Sequence, residues 1–423
     1  MECKVQMPSQ KRLKKRRAKK LAEDEQTTSD SDSPCSSKAR KRHLSGSGSR
    51  RHKVETYSSS SLSSDEDENY QASNWTYEDL KYMNIFYEDK SKPIKNFVQE
   101  IKDALKENKL VWPDPSKVID VLTKHLNELM PFSYDLASLR KWRKYGNVSA
   151  MGVELSKYEE GLVQKRSKEL LQENQSYKAL DPSTKEVADR VIRYLEYDVE
   201  TFVDGTSQLA EKNLLENPKG LGRKARKRAR GEGRVFEDSE WSKTLENQFQ
   251  HYCSLFVRMF FLQKGFDMQT CFSFKKKTVR YTHDLVYHYY KELNKRGPDQ
   301  LLFFIEVKNA AVSCEGATNI KELVGEKIMG QVGSALLCQS RQSLFFPNSL
   351  GIICMETKLI FVFLKISLEH WFGIHGEERS PTDPGMIMYT EPFDMLKQED
   401  RLKMADFMFW LGFVQKRRRY FSV

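Results

Sequence analysis

The unbroken apolar run Leu301-Leu302-Phe303-Phe304-Ile305, leading into Glu306-Val307-Lys308-Asn309, constrains the fold more than any other stretch of the chain. Apolar residues occupy both parities, so a strand made from them must be covered on both faces. Side chains alternate along a strand. Glu306 and Lys308 therefore share one face and Val307 takes the other. A carboxylate and an ammonium at the end of a core strand are costly to bury unless they pair with each other or hold an ion. The stretch thus marks both the centre of a core and the first place to look for chemistry.

Upstream, His283-Asp284-Leu285-Val286-Tyr287-His288-Tyr289-Tyr290 is rich in aromatic residues, as strands are. Between the two runs, Lys291–Asp299 is polar and carries the turn residues Asn294, Gly297 and Pro298. Folding the runs back about Lys295 predicts an antiparallel hairpin with Asp284 opposite Glu306. Asp284, Glu306 and Lys308 then meet at one end of a sheet. Two carboxylates suit Mg²⁺ (or Mn²⁺), a hard cation that takes one or two of them and keeps its waters and a substrate phosphate. Asp284 and Glu306 are the candidate metal ligands. Lys308 is suited to orienting a water or to neutralising charge on phosphorus.

This arrangement resembles the PD-(D/E)XK nuclease superfamily, the restriction-endonuclease-like fold, whose motif is an Asp on one strand and (Asp/Glu)-X-Lys on the next. Here those positions are Asp284 and Glu306-Val307-Lys308. His283 stands where the motif has Pro. A literal Pro298-Asp299 exists, but its spacing puts it in the turn, so Asp284 ranks above Asp299. The family core has a helix before its strands, often with an acid near the metal. The stretch Glu240–Gln263 carries Trp241, Leu245, Phe249, Tyr252, Phe256 and Phe260 at helical steps, with Glu240 and Glu246 as the candidate acids. The family also has a helix after the motif, often with a Gln. Ile320–Ser340 is helix-like and carries Gln331, followed by the strand-like Leu350–Met355 and Leu359–Leu364. More loosely, the region is similar to the nuclease-like C-terminal domains of Crinkler-type proteins. The resemblance implies an α/β, restriction-endonuclease-like core of helix, three strands, helix and strands. It also implies a Mg²⁺-dependent endonuclease acting on DNA, with Asp284, Glu306, Lys308, Glu240 or Glu246, and Gln331 at its site.

Around that core the chain divides by composition. Of 423 residues only 39% are apolar, below the usual ~45–50% for globular domains, so part of the chain is expected to be unfolded. Residues 1–72, rich in Ser, Lys and Arg, read as a disordered tail. Residues 73–215 read as a mostly helical region. Ile94, Phe97, Val98, Ile101 and Leu105 share one helical face; Val118, Val121, Leu122, Leu126 and Leu129 share another. Ser183-x-x-Glu186 has the form of a capping box. Residues 216–234 form a basic, Gly-punctuated linker, 235–415 the nuclease-like domain and 416–423 a basic tail.

A net charge of +11 favours an anionic partner. Arg223, Lys224, Arg226, Lys227 and Arg228 in the linker, with Lys275, Lys276 and Lys277, are the candidate nucleic-acid contacts. The blocks Lys11–Lys20 and Lys38–Arg42, like the linker, have the form of signals for nuclear import machinery, which implies a nuclear protein. Seven cysteines stand singly with no Cys-x-x-Cys pair, which argues against a zinc ribbon and fits a reducing compartment. No apolar run reaches the ~18–20 residues of a membrane span, and the amino-terminal segment lacks a secretory apolar core, so no membrane partner is expected. There is no Walker A loop and no Gly-x-Gly-x-x-Gly. Two readings stand beside the nuclease: a nucleic-acid or chromatin binder that keeps the fold without cutting, and a nuclear interaction scaffold.

Overall fold

The structure, a computed structural model, describes residues 72–107, 115–139, 158, 161–211, 238–266, 269–274, 277–289, 300–312, 316–375 and 383–415. The expected tails, the basic linker and the Lys291–Asp299 turn lie outside these residues. In chain order the elements are α1 (Tyr77–Tyr82), β1 (Ile85–Tyr87), α2 (Ile94–Glu107), α3 (Ser116–Leu129), α4 (Leu162–Glu173), α5 (Gln175–Lys178) and α6 (Pro182–Glu211). Next come α7 (Asp238–Arg258), β2 (Gln269–Phe274), β3 (Lys277–Thr282), β4 (Leu285–Tyr289), β5 (Gln300–Lys308), α8 (Ile320–Val324) and α9 (Glu326–Ser340). The chain continues through β6 (Ser349–Met355), β7 (Lys358–Lys365), α10 (Leu368–His375), β8 (Gly385–Tyr389), β9 (Phe393–Asp394) and α11 (Gln398–Gln415). The fold is α/β, built on a mixed sheet.

The sheet runs β1-β8-β7-β6-β5-β4, with β9 paired to β7; β2 and β3 form a separate hairpin. β5 lies parallel to β6 and antiparallel to β4. Its apolar run is buried throughout, as double-sided apolarity requires. The alternation is plain in β7. Leu359, Phe361 and Phe363 enter one core, shared with α2, α3, α4, α6, α7 and α11. Ile360, Val362 and Leu364 enter the other, shared with α1, α8, α9, α10 and the hairpin. Full burial of such side chains stabilises by about 1.5–3 kcal/mol each.

Described residues on both sides of the basic linker, from 73–215 and from 235–415, share this core. β1 joins the sheet edge as a parallel neighbour of β8, with Ile85 opposite Gly385. The buried Arg401 of α11 donates to the carbonyls of Met130 (3.0 Å), Phe132 (2.6 Å) and Met395 (3.0 Å). Periodicity shows that α2 and α3 each have an apolar face; it does not show what covers that face. Here Phe97 of α2 packs on Phe361 of β7 and Phe407 of α11, while α3 is covered by α11, α4 and α6. The start of α6 also differs in detail from the capping-box expectation. Asp181, not Ser183, caps it, accepting from Thr184 N (3.0 Å) and from the Ser183 hydroxyl (2.6 Å). Pro182 follows at the first helical position, where its fixed φ is favourable. No helix among the described residues is long and apolar enough to cross a membrane.

Candidate active site

The β4–β5 register pairs Leu285 with Ile305 and Val286 with Phe304. One step further along the same register sets Asp284 opposite Glu306. The Asp284 carboxylate turns across to β5 and accepts from Val307 N (Oδ2, 2.7 Å). Lys308 Nζ lies 2.5 Å from Glu306 Oε1, as expected for residues two apart on one strand face. Tyr281, at the end of β3, donates its hydroxyl to Glu306 Oε2. From α7, Gln250 donates to the Asp284 carbonyl oxygen, and Glu246 stands one turn earlier on the same helix face.

The electrostatics describe a crowded acidic cluster in which Lys308 is paired with Glu306. Glu306 is only 5% exposed. Burial first, and then the charge of Asp284, push its pKa up to about 7, against the opposing pull of Lys308 and Tyr281. Burial also raises Asp284, partly offset by the Val307 N–H, Lys308 and Lys264. Glu246 is raised by burial, with Asp284 adding to the rise and Lys308 opposing it. Burial works against the Lys308 ammonium, but Glu306, Asp284 and Glu246 outweigh it and its pKa is raised. Asp284, Glu246 and Lys308 are half-buried, so the cluster meets solvent beside a closed core.

Among the described residues, no group of three or more His, Cys, Asp or Glu is poised to hold a metal ion. The donor set nevertheless fits a hard divalent cation. Two carboxylates suffice for Mg²⁺, which completes its shell with water and phosphate. The charge of Asp284 raises the pKa of both Glu306 and Glu246, a strain of the kind such an ion relieves.

The remaining candidates are placed less closely. Gln331 on α9 donates to the Ser73 carbonyl oxygen (2.6 Å) in an exposed setting. The glutamine that α9 brings against His283 is Gln339, eight residues or roughly 12 Å further along. Its Nε2 lies 2.7 Å from Nε2 of His283, which the Thr270 hydroxyl also approaches at 2.9 Å. Burial lowers the His283 pKa to about 3, so the ring is neutral at pH 7. Glu240 lies in the first turn of α7 and Lys277 begins β3, but their side chains are outside the described residues. So are Lys275, Lys276, Arg223, Lys224, Arg226, Lys227 and Arg228. Sequence reasoning missed Tyr281, Gln250 and Gln339. Gln250 had a signal, its four-residue spacing from Glu246. Tyr281 had none, because its contact depends on how the β2–β3 hairpin folds over β5.

No protein-family model, no curated protein and no solved structure matches the chain at a significant level.

Proposed function

We propose that this protein is a metal-dependent nuclease of the PD-(D/E)XK kind, with a restriction-endonuclease-like core, hydrolysing phosphodiester bonds in DNA. The observation that carries the reading is the meeting of Asp284, Glu306 and Lys308 at one end of the β4–β5 pair, with Glu246 within electrostatic reach. Asp284 and Glu306 would hold Mg²⁺ or Mn²⁺, and Glu246 would stand as an outer acid. When bound, the ion supplies Lewis acidity toward a phosphate and a more acidic water. The chain's own residues do the rest. The Val307 N–H fixes the Asp284 carboxylate, and the Tyr281 hydroxyl and Lys308 fix that of Glu306. Lys308 also brings positive charge to the place where negative charge develops on phosphorus. The basic blocks Lys11–Lys20 and Lys38–Arg42 support action in the nucleus.

The test is plasmid cleavage by the purified full chain in Mg²⁺ or Mn²⁺ against EDTA, beside Glu306→Gln. The full chain is needed because β1 and α2 complete the sheet and core of the later residues. Metal-dependent cutting that vanishes in Glu306→Gln supports the proposal. No cutting by a folded, DNA-binding wild type favours the second reading, a binder that keeps the fold without catalysis. One observation favours that reading: both Glu306 oxygens already accept hydrogen bonds from the protein.

A further inference from the structure

Three buried polar side chains next to the carboxylates have no part in the chemistry set out above. His283 joins β3 to β4, one residue before Asp284 and two after Tyr281. It is 4% exposed, and Thr270 of β2 and Gln339 of α9 are enclosed more tightly still. Thr270 Oγ1 lies 2.9 Å from His283 Nε2, and Gln339 Nε2 lies 3.0 Å from His283 Nδ1. One neutral tautomer serves both neighbours: Nε2–H donates to the Thr270 hydroxyl, and Nδ1 accepts from the Gln339 amide. The imidazole also packs on two rings, with centroids 4.5 Å away for Tyr281 and 4.9 Å for Phe304.

These contacts converge on Glu306. Tyr281 pairs with Thr270 across the hairpin, and its hydroxyl meets Glu306. Phe304 and Glu306 stand two apart on β5 and so share a face. His283 therefore touches both the ring that donates to Glu306 and a side chain of the strand that carries Glu306. Packing alone does not call for a histidine here. An apolar ring of similar size would make the same contacts and gain from burial. A polar ring has to be met by further buried polar groups, and even then Gln339 Oε1 has no partner among the described residues. What a buried polar network supplies instead is a single fixed arrangement.

We propose that His283 is a positioning residue of the site. Braced by Thr270 and Gln339, its ring holds the Tyr281 ring where the hydroxyl meets Glu306, and so fixes the carboxylate that would bind the metal ion. The inference rests on the metal-binding reading of Asp284 and Glu306. It deepens that reading by naming a residue that acts on Glu306 through another side chain.

The test uses the full chain with tyrosine ¹³C-labelled at Cζ. The Tyr281 resonance, assigned by its loss in Tyr281→Phe, reports the state of the hydroxyl in EDTA, where neither metal nor cleavage is needed. His283→Phe keeps an aromatic ring and deletes both hydrogen bonds. It is expected to move the Tyr281 resonance toward its position in Glu306→Ala, and to weaken Mn²⁺ binding, measured by calorimetry, about tenfold. The double variant His283→Phe/Tyr281→Phe is expected to bind Mn²⁺ no more weakly than Tyr281→Phe alone, because His283 acts through that hydroxyl. Thr270→Val removes one brace and keeps the imidazole. It should move the same resonance in the same direction by less, and it decides the matter if His283→Phe does not fold. A Tyr281 resonance that stays in place, or losses of Mn²⁺ affinity that simply add in the double variant, overturns the proposal. A wild type that binds no Mn²⁺ overturns the metal reading instead, and the Tyr281 resonance alone then upholds or overturns the role of His283.

Discussion

Glu306 and Glu196 are both buried acids beside a hydroxyl, and their surroundings could hardly differ more. Glu306 receives the Tyr281 hydroxyl; Glu196, on α6, receives that of Ser167, on α4, at 2.5 Å. Burial raises the pKa of both. Glu306, however, has Asp284 as a like-charged neighbour and Lys308 as a partner, both half-buried at the strand end, and Asp284 in turn is a like-charged neighbour of Glu246. Among the described residues no acid raises Glu196, and the charges near it, Lys168 and Arg193, pull its pKa down instead. Ser167 links it to His125 of α3, with Ser167 Oγ 2.9 Å from His125 Nε2, and the His and Ser are fully enclosed by helices. A buried acid alone is therefore a weak sign of chemistry. Like charges forced together at a solvent-facing edge are a stronger one, because folding gains nothing from them.

The sharpest way to break this contrast is to remove charge from the strand end. Lys308→Ala and Glu306→Gln are each expected to lower cleavage by about 10²–10³-fold or more, with the fold retained. Plasmid cleavage and circular dichroism on the same preparations check both halves. A Lys308→Ala protein that cuts normally would leave the two acids equivalent and remove the case for a site.

The helical cluster should show itself in stability instead. Burial lowers the pKa of His125 from 6.5 to about 4. Between those values the unfolded chain binds a proton that the folded chain refuses. This contribution to stability is thus complete above pH 6.5 and lost as the pH falls toward 4. The full loss is on the order of 3 kcal/mol. Glu196, with its raised pKa, works in the opposite sense, favouring the fold at low pH and losing that contribution as the pH rises. Comparison with His125→Gln isolates the histidine. Urea unfolding of both proteins near neutral pH and again roughly three units lower should show wild type losing more stability than the variant. Parallel losses would mean that His125 is not held neutral.

Tyr281→Phe tests the strand end more gently. Without the hydroxyl, Glu306 keeps only the Lys308 contact. A loss of about 10–100-fold in activity or metal affinity is expected, as for other groups that orient a metal ligand. Titrating activity with Mn²⁺ separates the two effects. A purely structural tyrosine would shift the melting temperature and leave the metal midpoint unmoved.

Tyr281 also marks the limit of what the sequence could reveal. The β4–β5 pairing was legible because two apolar runs and a polar turn fix a register, and that register alone brings Asp284 to Glu306. Glu246 was legible only as one of two acids on a periodic helix. The structure gives it a reason, since its charge is felt at Lys308, whereas Glu240 lies six residues, or roughly 9 Å, earlier on α7. Gln331 was chosen for being a glutamine on the helix after the motif. Which face of α9 meets the hairpin depends on a second core that no local pattern encodes, and that face carries Gln339. The sharing of one core by residues on both sides of the linker was hidden for the same reason. Local periodicity reports that a surface must be covered and is silent about its partner.

Ser167→Ala is the smallest and most discriminating change. It deletes one oxygen, leaving Glu196 without a donor and His125 Nε2 without a partner inside the α3–α4–α6 layer. Unmet buried polar groups cost about 1–3 kcal/mol. Urea unfolding should register a loss of that size, and cleavage by the folded fraction should not change. If cleavage falls with Ser167→Ala while stability holds, the helical acid is no mere packing element. The distinction between crowded and isolated acids would then fail in this molecule.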